Sequence, residues 1–272
     1  MLAGDGGEAS AVDVVLLKLA LNSAIISAAA ASFPLSWPPE VVTMMQVYAI
    51  GSASAIGDSL SADCVVRSND FRPVQAWALS VVVLVPCALL LWAFIFRLLS
   101  ITTNNTRYSR VYFRVACLVT LLMAHPVVTK AALKLLACRL VAGRLFLEAD
   151  LQVSCSGAEW YFWAYSLAFP MILAFTCGIP LGYALAMYRH VRRGDLKDQR
   201  IIYGFLFSGF REDRWWFELW NTIRKSLFTI SSVLFAPAGV EMQTWAALVL
   251  LLFYIVVFVW AHPYAEPYLN AL

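Results

Sequence analysis

Charge is what this sequence has least of. Of its 272 residues, 14% are Asp, Glu, Lys or Arg, against about 25% in soluble domains. Apolar residues make up 61% and the mean hydropathy is +0.73. A soluble fold of this length could not hide such a surplus, so much of it must face lipid or other membrane helices. Histidine is scarce too, and His125, His190 and His262 are scattered along the chain. There is no H-E-x-x-H, no G-x-S-x-G and no glycine-rich phosphate loop, so neither enzyme activity nor a cofactor or metal is expected. A net charge of +3 carries no nucleic-acid signal. Residues 1–11 lack the basic start of a secretory signal, so insertion would fall to the first spanning helix, or the chain is part of something longer.

What is present is a series of apolar runs. A hydrocarbon core about 30 Å thick takes roughly 20 helical residues to cross. Six runs fit that length: 14–33, 74–96, 111–137, 160–188, 217–236 and 244–261. The run 41–56 is shorter, bounded by Pro38-Pro39 and Asp58, and reads as a helix in the interface or folded against the bundle. The expected fold is therefore all-α: a polytopic membrane bundle over 12–262, between a polar segment at 1–11 and a tail at 263–272. The lipid bilayer is its first partner, and membrane proteins, extracellular proteins or a second copy of the chain are further candidates.

The links between runs differ in charge. Arg97, Arg107, Arg110 and Arg114 fall in one link without an acid among them, and seven Lys and Arg residues lie between Arg189 and Arg214 in another. The alternate links are poorer in basic groups, so the positive-inside rule puts both Arg-rich links and both termini in the cytoplasm. Trp215, Trp216 and Trp220 then form a cytoplasmic aromatic belt, and Trp160, Tyr161 and Trp163 an outer one. A plasma or ciliary membrane is the expected site.

Several residues are candidates for function. Cys64, Cys138 and Cys155 fall on the exoplasmic side, where a disulfide among them is permitted, although spacing does not choose the pair. Lys130 and Lys134 share one helix face and suggest an anion or lipid-headgroup site or the wall of a wet cavity; snorkelling to the interface is the plainer alternative. Lys18 and Asn22 form a similar stripe that reads as polar glue between helices. Arg224 and Lys225 lie at membrane depth, with Glu218 placed to pair with Arg214 or a neighbouring helix. Anchoring to anionic lipid accounts for the same cluster. Pro170, Gly178, Pro180 and Gly182 break one long run and are candidate hinges.

The motifs LKLALNSAIISAAAASFPLSWPP at 17–39, SADC at 61–64, KAALKLLACRLVAGRLFLEADLQVSC at 130–155, CGIPLGYAL at 177–185, YGFLFSGFREDRWWFELWNTIRKSLF at 203–228 and the closing AHPYAEPYLNAL come in an order that resembles one family. It is the membrane region of the transient-receptor-potential-like multipass proteins of algae and protists. In that family the region often follows an ectodomain of EGF-like or ephrin-receptor-like cysteine-rich repeats. The resemblance implies a channel-like unit, a cation channel or transporter. Residues 237–242, the whole link between the last two runs, are too few for a re-entrant selectivity filter, so a conducting path would run elsewhere. A non-conducting anchor or receptor region is the other reading.

The orientation is open to a direct check. A cysteine replacing Arg193 should react in intact cells with membrane-permeant maleimide alone, and reaction with an impermeant reagent would reverse the topology.

Overall fold

The computed structural model describes residues 37–50, 73–103, 106–194 and 209–265 without a break. It also describes 19, 20, 22–24, 26, 27, 30, 33, 202 and 203. Six helices and a small sheet are labelled in chain order: α1 (Pro39–Ile50), α2 (Pro73–Thr103) and α3 (Thr106–Lys134); then β1 (Cys138–Val141), β2 (Arg144–Leu147) and β3 (Asp150–Ser154); then α4 (Ala158–Arg193), α5 (Phe217–Leu234) and α6 (Val240–Ala261). The described part of the run 41–56 is α1; residues 51–56 lie outside the described residues.

Length and composition qualify four helices to cross a membrane: Val74–Thr102, Ser109–Lys134, Ala158–Arg193 and Val240–Ala261. The expected count of six is not reached among the described residues. Most of 14–33 falls outside them, although residues 22–24 are helical. The run 217–236 does form a helix, α5, but it carries Glu218, Arg224 and Lys225 and buries a mostly polar face. It is an inner helix, shielded by its neighbours. The fold is helical as expected, with one small addition that was not expected, a sheet of three short strands.

α2 and α3 pack side by side over most of their length. Ala78, Val81 and Val85 meet Val128, Ala131 and Ala132 in a core that Leu167, Ala168 and Met171 of α4 complete. Alanine at these contacts lets helix backbones approach closely, which is how helices associate where lipid removes the hydrophobic drive. Further along, Trp92 Nε1 donates to Thr120 Oγ1 at 3.0 Å, and Phe96 meets Phe113 edge-on. The outer faces are apolar: Leu90 is 69% and Leu252 63% exposed, as suits side chains that contact acyl tails.

The three strands pair antiparallel in the order β1-β2-β3. Val141 faces Arg144 across a two-residue turn in which Ala142 (φ 48°) and Gly143 (φ 79°) are both left-handed, the geometry of a type I′ hairpin. A disulfide joins Cys138 to Cys155. Cys64, the third candidate, lies outside the described residues. Leu147, Val153 and Cys155 pack against Val74 and Trp160, and the Trp160 indole donates to the Leu135 carbonyl at 3.1 Å. Gln75 Nε2 donates to Glu159 Oε1 at 3.3 Å. The sheet therefore sits on the neighbouring ends of α2, α3 and α4.

A second clamp closes the opposite end. Phe210 and Tyr264 form an antiparallel bridge, with Arg211 N–H donating to Pro263 O at 2.9 Å and Ala265 N–H to Gly209 O at 3.0 Å. Phe210, Phe217, Ala261 and Tyr264 are buried together, and Leu19, Trp220, Tyr254 and Phe258 pack against them. Burial raises the Tyr264 phenol above its ordinary value and keeps it neutral. Residues 263–265 are thus docked; 266–272 lie outside the described residues.

Loss of the disulfide should be measurable. Its sequence separation of 17 residues corresponds to about 3 kcal/mol of stability in the loop-entropy account. Cys138→Ser should therefore unfold at clearly lower denaturant in mild detergent, and reducing agent should shift the parent protein but not the variant.

Candidate functional site

α5 turns a polar face into the protein. Glu218, Asn221, Thr222, Ser226, Thr229, Ser231 and Ser232 are all buried. Hydroxyls tolerate such burial because they bond back onto their own helix: Thr222 to Glu218 O at 3.0 Å, Ser226 to Thr222 O at 3.1 Å, Thr229 to Lys225 O at 2.9 Å and Ser232 to Thr229 O at 3.0 Å. Gln243 of α6 adds a cross-helix bond, Nε2 to Ser232 O at 2.8 Å. Gly239 makes that return possible: its φ of +102° is a conformation only glycine adopts readily, and it turns the chain straight from α5 into α6. The short link expected between the last two runs is a single 3₁₀ turn, Ala236–Ala238, followed by this glycine.

The ionisable groups cluster toward the clamp end. Asn221 Nδ2 donates to Glu218 Oε2 at 3.4 Å, and the Tyr254 hydroxyl donates to Asn221 Oδ1 at 3.3 Å. The Arg224 guanidinium lies 3.7 Å from the centroid of the Tyr254 ring, a cation–π contact. Glu218 lies within electrostatic reach of both Arg224 and Lys225. Arg214, one candidate partner for Glu218, is instead 3.5 Å from Asp213 and stacks on Trp260. The amide of Asn221, three residues on in the same helix, contacts Glu218 where a basic partner was expected, and the Tyr254 phenol in turn holds that amide.

Midway along α3 lies a group that sequence reasoning passed over. His125 is 1% exposed, and its Nε2 is 3.4 Å from the carbonyl oxygen of Thr176 in α4. Thr129 Oγ1 and Thr176 Oγ1 are 3.0 Å apart. The cause is Pro180. A proline has no N–H, so the carbonyl four residues earlier, that of Thr176, loses its α-helical donor and must be satisfied by a neighbour. Lys225 of α5 lies within electrostatic reach of the same imidazole. The available signal was the Thr176–Pro180 spacing; the partner helix could not be read from it.

The candidate hinge residues share this helix. α4 holds two π-helical stretches, Ala164–Ala168 and Ile172–Cys177, one on either side of the turn that contains Pro170. Such wide turns free backbone groups and often mark functional positions. At Gly178 an added Cβ would stand 3.1 Å from the Leu173 carbonyl oxygen, a tight contact that requires the backbone there to give by a few tenths of an ångström. At Gly182 nothing lies within 4 Å, and the structure offers no reason for that glycine.

Lys130 and Lys134 line a cavity of about 470 Å³ at the sheet end, with Glu148, Ser232 and Val233 among its other walls. Arg139 pairs with Glu148 at 3.5 Å. The two lysines thus face a cavity walled partly by protein. Asn22 is helical and half-buried. Leu19, one turn before it, packs on the clamp, which sets Asn22 nearer that end than the lysine cavity. Lys18 lies outside the described residues. Among the described residues no group of three or more His, Cys, Asp and Glu is placed to hold a metal ion.

The bond at Thr176 can be tested by a double-mutant cycle. His125→Ala should destabilise the protein by about 1–3 kcal/mol, because a buried carbonyl loses its donor. Pro180→Ala restores a backbone N–H and should recover part of that loss in the His125→Ala background, as read by unfolding in detergent. Strictly additive effects would separate the two residues.

No protein family model matches this chain, and no solved structure matches it. Among curated proteins, the cysteine repeat modular protein A of Toxoplasma gondii is 26% identical to it over 147 residues, 50% of this chain and 5% of that protein. The chain therefore spans a small fraction of that relative's length.

Proposed function

We propose that this chain is a multipass membrane module that holds a cysteine-repeat region of a larger protein at the cell surface. The observation that carries this reading is the disulfide-closed sheet seated on three helix ends. Trp160, the Gln75–Glu159 bond and the Val74 contacts couple the sheet to α2, α3 and α4, so a pull on it is shared by three helices. In this reading the sheet end is exoplasmic, where a disulfide persists. The opposite end, with Arg97, Arg110 and Arg192, is cytoplasmic, as are both termini. The up-and-down order of α2 to α6 supports that arrangement, since the described residues Arg97, Arg110, Arg192 and Arg211 then fall toward one end. The partial likeness to a protein named for its cysteine repeats supports it too.

A channel-like unit of the transient-receptor-potential-like type is the second reading, favoured by the polar face of α5. In it, ions or protons would cross along Glu218, Lys225, His125 and the lysine cavity, and α4 would bend at its wide turns around Pro170 and Pro180. The charges along that route weigh against cations. Arg224, Lys225, Lys130 and Lys134 outnumber Glu218 and Glu148, and a cationic wall raises the barrier to a cation.

Reconstitution of the full chain in planar bilayers separates the two readings. The anchor reading expects no current under voltage or tension, together with cross-linking of the sheet end to extracellular protein. A reproducible current that Lys225→Gln or Glu218→Gln alters would overturn it in favour of conduction.

A further inference from the structure

At the end opposite the sheet, the last turns of α2 and the first turns of α3 leave a gap between them. The gap is a groove of about 670 Å³, lined by Ala93, Phe94, Phe96 and Phe113 along its length and by Arg97 and Arg110 toward the helix ends. Its shape is held by contacts between the two helices. Ser109 Oγ donates to the Phe96 carbonyl, and Phe96 meets Phe113 with ring centroids 6.4 Å apart. Arg110 Nε donates to Thr106 O at 3.2 Å, which fixes that guanidinium near the start of α3.

Charge and depth identify what fits. No carboxylate is found among the described residues lining the groove, and the sequence has no Asp or Glu anywhere between Asp70 and Glu148. Two guanidiniums at the rim of an apolar groove suit an anion with a hydrocarbon tail, because a guanidinium grips phosphate oxygens through paired N–H groups. The depth agrees. Arg110 and Lys130 stand roughly 20 residues apart in one helix, about 30 Å of rise, which is the thickness of the hydrocarbon core. Arg110 therefore sits at one headgroup layer when Lys130 sits at the other, and the aromatic walls lie just inside, at acyl depth. Ala93 and Phe94 are exposed, open to whatever enters from the lipid side.

We propose that this groove binds one anionic glycerophospholipid, its phosphate between Arg97 and Arg110 and an acyl chain along Ala93, Phe94 and Phe113. Bound there, the lipid fills the gap between α2 and α3 at these ends. The site is separate from the lysine cavity at the far end and does not depend on whether the bundle conducts.

The test uses the full chain in mild detergent and native mass spectrometry. Phosphatidylglycerol and phosphatidylcholine with matched acyl chains are offered in equal amounts, and the ratio of retained lipids is read. The parent protein should retain phosphatidylglycerol preferentially, and Arg97→Gln and Arg110→Gln should each lower that preference about fivefold. Ala93→Trp, which fills the groove and leaves both charges in place, should lower retention of both lipids. Lys130→Gln/Lys134→Gln should leave the preference unchanged. An unchanged preference in Arg97→Gln/Arg110→Gln, or its loss in the lysine variant instead, would overturn the assignment. Displacement of the lipid by millimolar inorganic phosphate would show a site for the free anion and would overturn it equally.

Discussion

Polar groups inside a bilayer have no water to turn to, and this structure is organised around that constraint. Each proline in a membrane helix strips one carbonyl of its donor, and each Ser, Thr or Glu turned inward needs a partner within the protein. At Thr176 the freed carbonyl meets His125. Along α5 the hydroxyls bond to their own backbone, and Glu218, Asn221 and Tyr254 form a chain of contacts that reaches α6. These needs place α5 inside. A helix with three charges and a run of hydroxyls survives there because α3, α4 and α6 shield it from lipid.

The ends of the bundle answer the same need differently. Near the sheet, backbone groups at the helix ends are taken up by a tryptophan indole and by strand pairing, while a disulfide closes the loop covalently. Near the clamp, a two-strand bridge between 209–211 and 263–265 ties the start of α5 to the end of α6, with aromatic rings filling the space beneath. Between them, α2 and α3 run side by side on alanine contacts and leave a gap at the Arg97–Arg110 groove. Arginine rims one end of the helix pair and lysine the other, so charge borders the apolar belt on both sides.

How much was legible from sequence depended on whether the cause was local. The runs 74–96 and 244–261 announced themselves, because a long apolar stretch leaves few alternatives. The strands did not. They are short, and their turn is Ala142-Gly143, where Asn-Gly is the usual hairpin signal. The run 217–236 was legible as a helix, but the inward direction of its Ser and Thr was not, because that depends on which helices pack beside it. Cysteine placement narrowed the disulfide to three residues but could not choose among them, since pairing depends on where the chain brings the sulfurs.

The sequence by itself determined that long apolar helices dominate this protein, that basic residues alternate between its links, and that the last link is tight. Those properties follow from composition and spacing, which act within one segment. Only the tertiary structure decided that α5 lies inside, that His125 answers Pro180, that Lys130 and Lys134 face a cavity, and that Arg97 and Arg110 share a groove. Each of these is a meeting of residues far apart in the chain. A side chain's partner is set by which helix packs beside it, and a single segment does not encode its neighbour.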